Sequence, residues 1–132
     1  MAATGFRFRA PAGWRVDRGA TGVTVTKDSE LLRVATFTLV KPYRAELFDR
    51  VARELAARMA DVARQTGGSL GAARVVTVDG IRSHAYRVTV GDHVDEYTFV
   101  LAGTREYQLL CRRKSSSGTA FCDALLTSFV RA

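Results

Sequence analysis

Closely spaced turn signals divide the middle of the chain into four segments rich in β-branched and aromatic residues. Asp79-Gly80 and Gly91-Asp92 each join two such segments, and dipeptides of this kind favour two-residue β-hairpin loops. A third loop of three residues is expected at Ala102-Gly103-Thr104. Loops this short leave no room for crossover helices. The sequence therefore predicts an antiparallel meander whose strands span residues 73–78, 81–90, 93–101 and 105–112.

The loop lengths also predict the register between these strands. A two-residue loop at Gly91-Asp92 places Arg87 opposite Glu96, which is a favourable cross-strand charge pair. One face of the sheet is then expected to carry Tyr86, Val88, Tyr97, Phe99, Tyr107, Leu109 and Cys111. The other face is expected to carry Ile81, Val94, Val100 and Leu110. A sheet that is apolar on both faces needs cover on both.

Two predicted helices can supply that cover. Between residues 43 and 65 the apolar side chains recur at helical spacing, and Gly67-Gly68 ends the pattern. The residues of this stripe are Leu47, Val51, Leu55, Met59 and Val62. A second helix is predicted over residues 117–129, and further strands over 6–9, 23–26 and 31–40. The expected fold class is α+β, with an antiparallel sheet of about six to seven strands sandwiched between helices in one domain over 1–132.

The basic residues carry a net charge of +7 but do not form a long run. The longest basic run is Arg112-Arg113-Lys114, and this scatter argues against a nucleic-acid footprint. No stretch is long and apolar enough to predict a transmembrane helix. The first four residues lack the layout of a signal peptide, so either the protein is cytoplasmic or a signal segment has been removed and Met1 is not native.

Short motifs spread over nearly the whole chain resemble those of PsbP-like domains. They are Phe8-x-x-Pro11-x-Gly13-Trp14, then Asp79-Gly80-Ile81, then Tyr107-x-Leu109-x-Cys111, and finally Leu125-Leu126-x-Ser128-Phe129. The set resembles the PsbP/Mog-type fold and its bacterial relatives, the DcrB-like and LpqN-type lipoprotein domains. This resemblance implies an antiparallel sheet between helices and non-enzymatic roles in binding, assembly or chaperoning. These roles share no set of functional residues that could be transferred to this chain.

Cys111 and Cys122 form the most informative pair of reactive side chains. Cys111 ends a predicted strand, Cys122 lies on the apolar face of the last predicted helix, and ten residues separate them. A disulfide between them would indicate an oxidising compartment. The alternative is two buried free thiols, because cysteine behaves as a small hydrophobic residue. Two cysteines without suitably spaced partners do not predict a zinc site.

The other polar residues favour structural roles over catalysis. His84 and His93 are expected about three rows apart in the sheet, and Asp92, Asp95 and Glu96 lie at a hairpin. Gly67-Gly68-Ser69-Leu70-Gly71 lacks the Lys-Ser/Thr ending of a phosphate-binding loop and follows a helix instead of opening one. The sequence thus predicts no catalytic residues, no cofactor and no metal.

The expected function is a non-enzymatic binding or scaffold domain, extracytoplasmic or anchored as a lipoprotein, with a protein or lipid partner. One alternative is a cytoplasmic chaperone or adaptor that holds an apolar segment of another protein. A second is a basic surface that binds anionic lipid or nucleic acid. Trp14 and Tyr43 are the candidate interface residues, although a Trp in this position more often closes the end of a core.

Overall fold

A seven-stranded antiparallel sheet carries two helices and a small second sheet. The computed structural model describes residues 2–3 and 5–132, so the question of whether Met1 is native concerns a residue outside this part. The strands are β1 (Ala2–Ala3), β2 (Phe6–Arg7), β3 (Arg15–Arg18), β4 (Gly22–Lys27), β5 (Glu30–Tyr43), β6 (Ser69–Leu70), β7 (Arg74–Val78), β8 (Ile81–Val90), β9 (His93–Lys114) and β10 (Val130–Arg131). A 3₁₀ helix (Ala45–Leu47) leads into α1 (Phe48–Thr66), and α2 is Ala120–Ser128.

The main sheet has the order β3-β4-β5-β9-β8-β6, and β7 pairs with β8 beside β6. The small sheet has the order β1-β2-β10 and joins the two ends of the chain. Strand β2 covers only the first half of the predicted strand at 6–9, and β3 was not predicted.

The 22-residue strand β9 doubles back on itself around Gly103. The amide of Ser115 donates a hydrogen bond of 2.7 Å to the carbonyl of Asp92, and Arg112 Nε lies 2.7 Å from Asp95 Oδ1. Residues 17 apart in an extended chain would lie about 56 Å from each other, so the two halves of β9 must run antiparallel. Accordingly β8 pairs only with residues 93–99 of β9, and β5 only with residues 103–112.

The predicted register is correct on one side of this fold-back and wrong on the other. Arg87 pairs with Glu96 and Tyr86 with Tyr97, as the two-residue loop at Gly91-Asp92 predicts. The pairing of Asp92 with Ser115 places residue 100 across from residue 107, so the loop at Gly103 is one residue shorter than predicted. A slip of one residue moves every side chain to the opposite face of a sheet.

The predicted composition of the two faces is therefore correct for residues before Gly103 and wrong for those after it. Four of the aromatic and apolar residues assigned to one face do lie against α1, namely Tyr86, Val88, Tyr97 and Phe99. The other three, Tyr107, Leu109 and Cys111, lie with Val100 and Ile81 in a second cluster that contains α2. Leu110 alternates with Leu109 and Cys111 and so lies on the α1 face.

Helix α1 covers the half of its face formed by β6, β8 and β9. Its buried residues are Phe48, Leu55, Met59 and Ala63, of which only Leu55 and Met59 belong to the predicted stripe. The other three residues of the predicted stripe, Leu47, Val51 and Val62, are half-buried. Gly67 has φ +69° and donates to the carbonyls of Ala63 and Arg64, so it ends the helix as predicted. The other cluster packs α2 and Phe6 of the small sheet against β4, β5 and β9. Each helix thus buries apolar side chains from a different face of the main sheet.

Candidate binding cleft

An irregularity in β5 creates the largest departure from regular pairing in the main sheet. Thr38 pairs with Arg105, but the next paired residue, Tyr43, lies opposite Gly103. Residues 39–42 therefore bulge out of the ladder, and Pro42 has no amide hydrogen to rejoin it. Within this bulge the side chain of Val40 is fully exposed. We call residues 39–43 the β5 bulge.

The β5 bulge and the first half of α1 enclose a cleft of about 220 Å³. The short 3₁₀ helix turns the chain from the bulge into α1, which brings both walls together. Most of the lining is apolar: Leu39, Pro42, Tyr43, Leu47, Val51, Leu55 and Leu101. The remaining lining residues, Lys41, Glu54, Arg58 and Glu106, carry charges of both signs. Exposed Phe37 pairs with Glu106 and extends the apolar surface beside this α1–β5 cleft.

A buried carboxylate forms the polar part of the cleft. The side chain of Glu106 is 11% exposed and accepts hydrogen bonds from Arg58 Nη1 at 3.3 Å and from Gln108 Nε2. Arg58 also lies 5.7 Å from the centre of the Phe99 ring, within the range of a cation–π contact. Glu106 and Phe99 hold Arg58 beside the cleft, and the positive charge of Arg58 neutralises the Glu106 carboxylate.

Tyr43 is one of the predicted interface residues, and the structure places it in the lining of this cleft. Burial raises the pKa of Tyr43 above its ordinary value, while the nearby Arg82 lowers it and Glu46 raises it slightly further. The phenol therefore keeps its proton at neutral pH and can donate a hydrogen bond.

Trp14, the other predicted interface residue, lies far from this cleft in the fold. Its ring is 5.3 Å from that of Phe121 at the start of α2, and it packs on the edge of the α2-side cluster. Trp14 is half-buried, and the structure does not bring it together with Tyr43.

Cys111 and Cys122 form a disulfide that joins β9 to α2. Both residues are buried, and no free cysteine remains. The pairing that the sequence left open is thus present in the structure.

The acidic residues at the Gly91-Asp92 hairpin separate onto different faces of the sheet. Asp95 is buried and receives two hydrogen bonds from Arg112, at 2.7 and 3.0 Å, while His93 Nε2 lies 3.9 Å away. Glu96 points to the α2 side and contacts three arginines, of which the sequence predicted only Arg87. Within residues 2–3 and 5–132, no group of three or more His, Cys, Asp or Glu side chains is arranged to hold a metal ion.

His84 is buried against Phe48, with ring centres 3.9 Å apart, and its Nε2 donates to the Phe48 carbonyl at 3.0 Å. Desolvation by burial lowers the pKa of His84, although this hydrogen bond opposes the shift. The imidazole of His84 is therefore part of the packing contact between α1 and β8.

A seven-stranded antiparallel sheet with two helices is the PsbP-like fold, and this chain has it. The solution structure of cyanobacterial PsbP (CyanoP) from Synechocystis sp. PCC 6803 matches with a TM-score of 0.68 and 19% sequence identity, over 97% of this chain and 87% of that one. A crystal structure from Bacteroides thetaiotaomicron VPI-5482 also matches with a TM-score of 0.68, at 9% identity over 96% of this chain. This chain spans 45% of that protein, which is less than half its length.

No family model and no curated protein matches the sequence. At these levels of identity the two structures establish the fold alone, and they confirm the PsbP-type fold predicted from the sequence motifs. None of the helices in the described part of the chain is both long and apolar enough to cross a membrane.

Proposed function

We propose that this chain is a non-enzymatic binding domain that accepts an apolar segment of a protein partner in the α1–β5 cleft. The observation that carries the proposal is the β5 bulge, in which fully exposed Val40 lies between two residues that line the cleft, Leu39 and Lys41. An exposed apolar surface of this kind marks an interaction site more often than an isolated exposed side chain does.

The size and charge of the cleft support a protein segment as the occupant. Pockets for small organic ligands usually measure about 300–1,000 Å³. At about 220 Å³ the cleft is smaller and has room for one or two apolar side chains. Its charged lining residues include Lys41 and Glu54, which carry opposite charges. Such a pair can bind both the carbonyl and the amide groups of a peptide backbone, whereas an anionic lipid headgroup would be repelled by Glu54.

An extracytoplasmic location, with the lipoprotein anchoring that the family resemblance implies, is part of the same proposal. The disulfide supports this location, because such bonds persist in oxidising compartments and are rare in the cytosol of mesophiles.

The proposal also includes a three-layer arrangement of helix, sheet and helix. The separate apolar clusters under α1 and α2 support this arrangement.

Nuclear magnetic resonance titration with two small probes tests the occupant. N-acetyl-leucine amide presents one apolar side chain between two peptide groups, and decanoate presents an acyl chain. We expect the leucine amide to shift the backbone amide signals of the β5 bulge in a saturable way. Leu39→Asp should weaken its binding about tenfold, since losing one apolar contact costs roughly 1.5 kcal/mol.

Val75→Asp is the matched control, because Val75 is an exposed apolar strand residue in β7, outside the cleft. Equal losses in the two variants, or no saturable shift in the unmodified protein, would contradict the proposal. Tighter binding of decanoate than of the leucine amide would indicate an acyl-binding site instead.

Mass spectrometry of protein isolated from its native host without reductant tests the location. The proposal expects a mass two hydrogens below that of the dithiol form. A free-thiol mass would remove the main support for export and favour a cytoplasmic adaptor that uses the same cleft.

A further inference from the structure

Three arginines converge on one buried carboxylate on the α2 side of the sheet. The side chain of Glu96 is 8% exposed. Its Oε1 lies 3.3 Å from Arg87 Nε and 3.6 Å from Arg74 Nη2, and its Oε2 lies 2.8 Å from Arg113 Nε. The arginines come from β7, β8 and β9, so pairing within the sheet fixes their relative positions. We call these four residues the Glu96 cluster.

The Glu96 cluster has two more positive charges than negative ones. The neighbouring carboxylate, Asp95, alternates to the opposite face and is occupied by two hydrogen bonds from Arg112. Among the described residues, Glu96 is the only carboxylate in ion-pair contact with Arg74, Arg87 or Arg113. The excess charge is therefore not neutralised by the part of the protein that the structure describes.

Some of the hydrogen-bonding capacity of these arginines is also unused. The Nε atoms of Arg74 and Arg87 are buried and make no hydrogen bond within the described residues, because the 3.3 Å contact of Arg87 with Glu96 is poorly aligned. The side chains of Arg74 and Arg87 are nevertheless 37% and 39% exposed, so both reach the surface. Arg113, at 12% exposure, is held firmly by Glu96.

We propose that the Glu96 cluster is a binding site for a doubly charged tetrahedral oxyanion, of which a phosphate monoester is the chemical type. Two excess positive charges match a dianion better than a single carboxylate. The planar guanidinium donates paired hydrogen bonds that fit phosphate oxygens. Glu96 fixes the inner side of the arginines, and the exposed parts of Arg74 and Arg87 are accessible to a ligand. This site lies on the face opposite the α1–β5 cleft, so the inference goes beyond the proposed function and does not depend on it.

Titration of the protein with inorganic phosphate, at ionic strength held constant with chloride, tests the proposal. The side-chain Nε–Hε signals of arginine in ¹H–¹⁵N spectra report on the environment of each guanidinium group. We expect saturable shifts of the Arg74 and Arg87 signals with phosphate and with sulfate. Arg74→Gln and Arg87→Gln should each weaken phosphate binding about tenfold, the usual loss for one charge-assisted hydrogen bond.

Arg50→Gln/Arg53→Gln is the matched control for the double variant Arg74→Gln/Arg87→Gln. This control also removes two positive charges, but from exposed positions on α1. Preserved binding in this control and its loss in the cluster variant would support a built site. Equal weakening in both, or linear shifts that never saturate, would show general charge screening and overturn the proposal.

Phosphatidylcholine vesicles with and without phosphatidylglycerol distinguish the source of the phosphate group. Co-sedimentation that requires phosphatidylglycerol and is lost in Arg74→Gln/Arg87→Gln would assign the site to a lipid headgroup. Binding of inorganic phosphate without co-sedimentation would assign it to a soluble phosphate ester. Either result keeps the oxyanion site, whereas absence of both kinds of binding would refute it.

Discussion

Breaking the Cys111–Cys122 bond should lower the free energy of unfolding by about 2–3 kcal/mol. The two cysteines are separated by 11 positions in the sequence, and closing a loop of that size removes this much conformational entropy from the unfolded chain. Both cysteines are buried in the α2-side cluster, so reduction leaves two small apolar side chains in place and opens no large cavity. For a chain of 132 residues the loss corresponds to a fall in Tm of about 10 °C.

Urea unfolding followed by circular dichroism, with and without a phosphine reductant, measures this loss. The dependence of unfolding free energy on urea should also steepen, because a reduced unfolded chain exposes more surface. Cys111→Ala/Cys122→Ala is the control: it should be less stable than the oxidised protein and should not respond to reductant.

A reductant effect below about 0.5 kcal/mol would refute the loop-closure reasoning, since the entropy estimate allows no value that small. A loss well above about 5 kcal/mol would refute it in the other direction. It would show that the bond holds α2 onto the sheet in the native state, beyond constraining the unfolded chain.

Three further substitutions test the ion pairing in the sheet, the contact between α1 and β8, and the close approach of two strands. Asp95→Asn should cost about 2–3 kcal/mol of stability in urea unfolding, less than a fully buried pair, because the side chain of Arg112 is 36% exposed. Burial lowers the pKa of His84 from 6.5, so the unfolded chain binds this proton more readily. Stability should therefore fall as the pH drops below about 6.5, and His84→Gln should reduce the difference between urea midpoints at neutral and acidic pH. Gly22→Ala should lower the free energy of unfolding by about 1–3 kcal/mol, because its Cβ would lie 2.2 Å from a backbone oxygen of β5 and force the strands apart. Gly118→Ala, where nothing lies within 4 Å, should leave the thermal midpoint unchanged and serves as its control.

The parts of the fold that sequence predicts best are those set by local signals. The loop at Gly91-Asp92 fixed the pairing of Arg87 with Glu96, and the four-residue spacing of apolar side chains located α1. A two-residue turn admits one register, and an amphipathic stripe of five residues admits one period. Both features depend on residues that are neighbours in the chain.

The loop at Gly103 shows the limit of the same reasoning. Ala102-Gly103-Thr104 is compatible with a loop of two or three residues, because only Gly103 adopts positive φ, at +57°. The pairing of β9 with β5 on its outer side helps decide between the two lengths, and that partner lies about 70 residues earlier in the chain. One residue of difference then exchanged the faces of Tyr107, Leu109 and Cys111.

The α1–β5 cleft could not be predicted for a related reason. Residues 39–43 read as the end of a strand followed by the start of a helix, and the sequence placed Tyr43 at that boundary. The bulge exists because β5 must pair with Arg105 at Thr38 and with Gly103 at Tyr43, which leaves residues 39–42 without partners. Its shape is thus a property of the ladder and is absent from any local pattern.

The Glu96 cluster depends both on a local loop and on strand pairing between distant parts of the chain. The Arg87–Glu96 pair followed from a local loop, but Arg113 reaches Glu96 only because β9 folds back, and Arg74 only because β7 joins the far side of β8. A single predicted ion pair is neutral and suggests a structural role. The same carboxylate with three arginines has two unbalanced charges and two buried Nε atoms without hydrogen bonds. The buried Nε atoms themselves are closed to solvent, so a ligand would meet the exposed parts of Arg74 and Arg87, where it would neutralise the unbalanced charge.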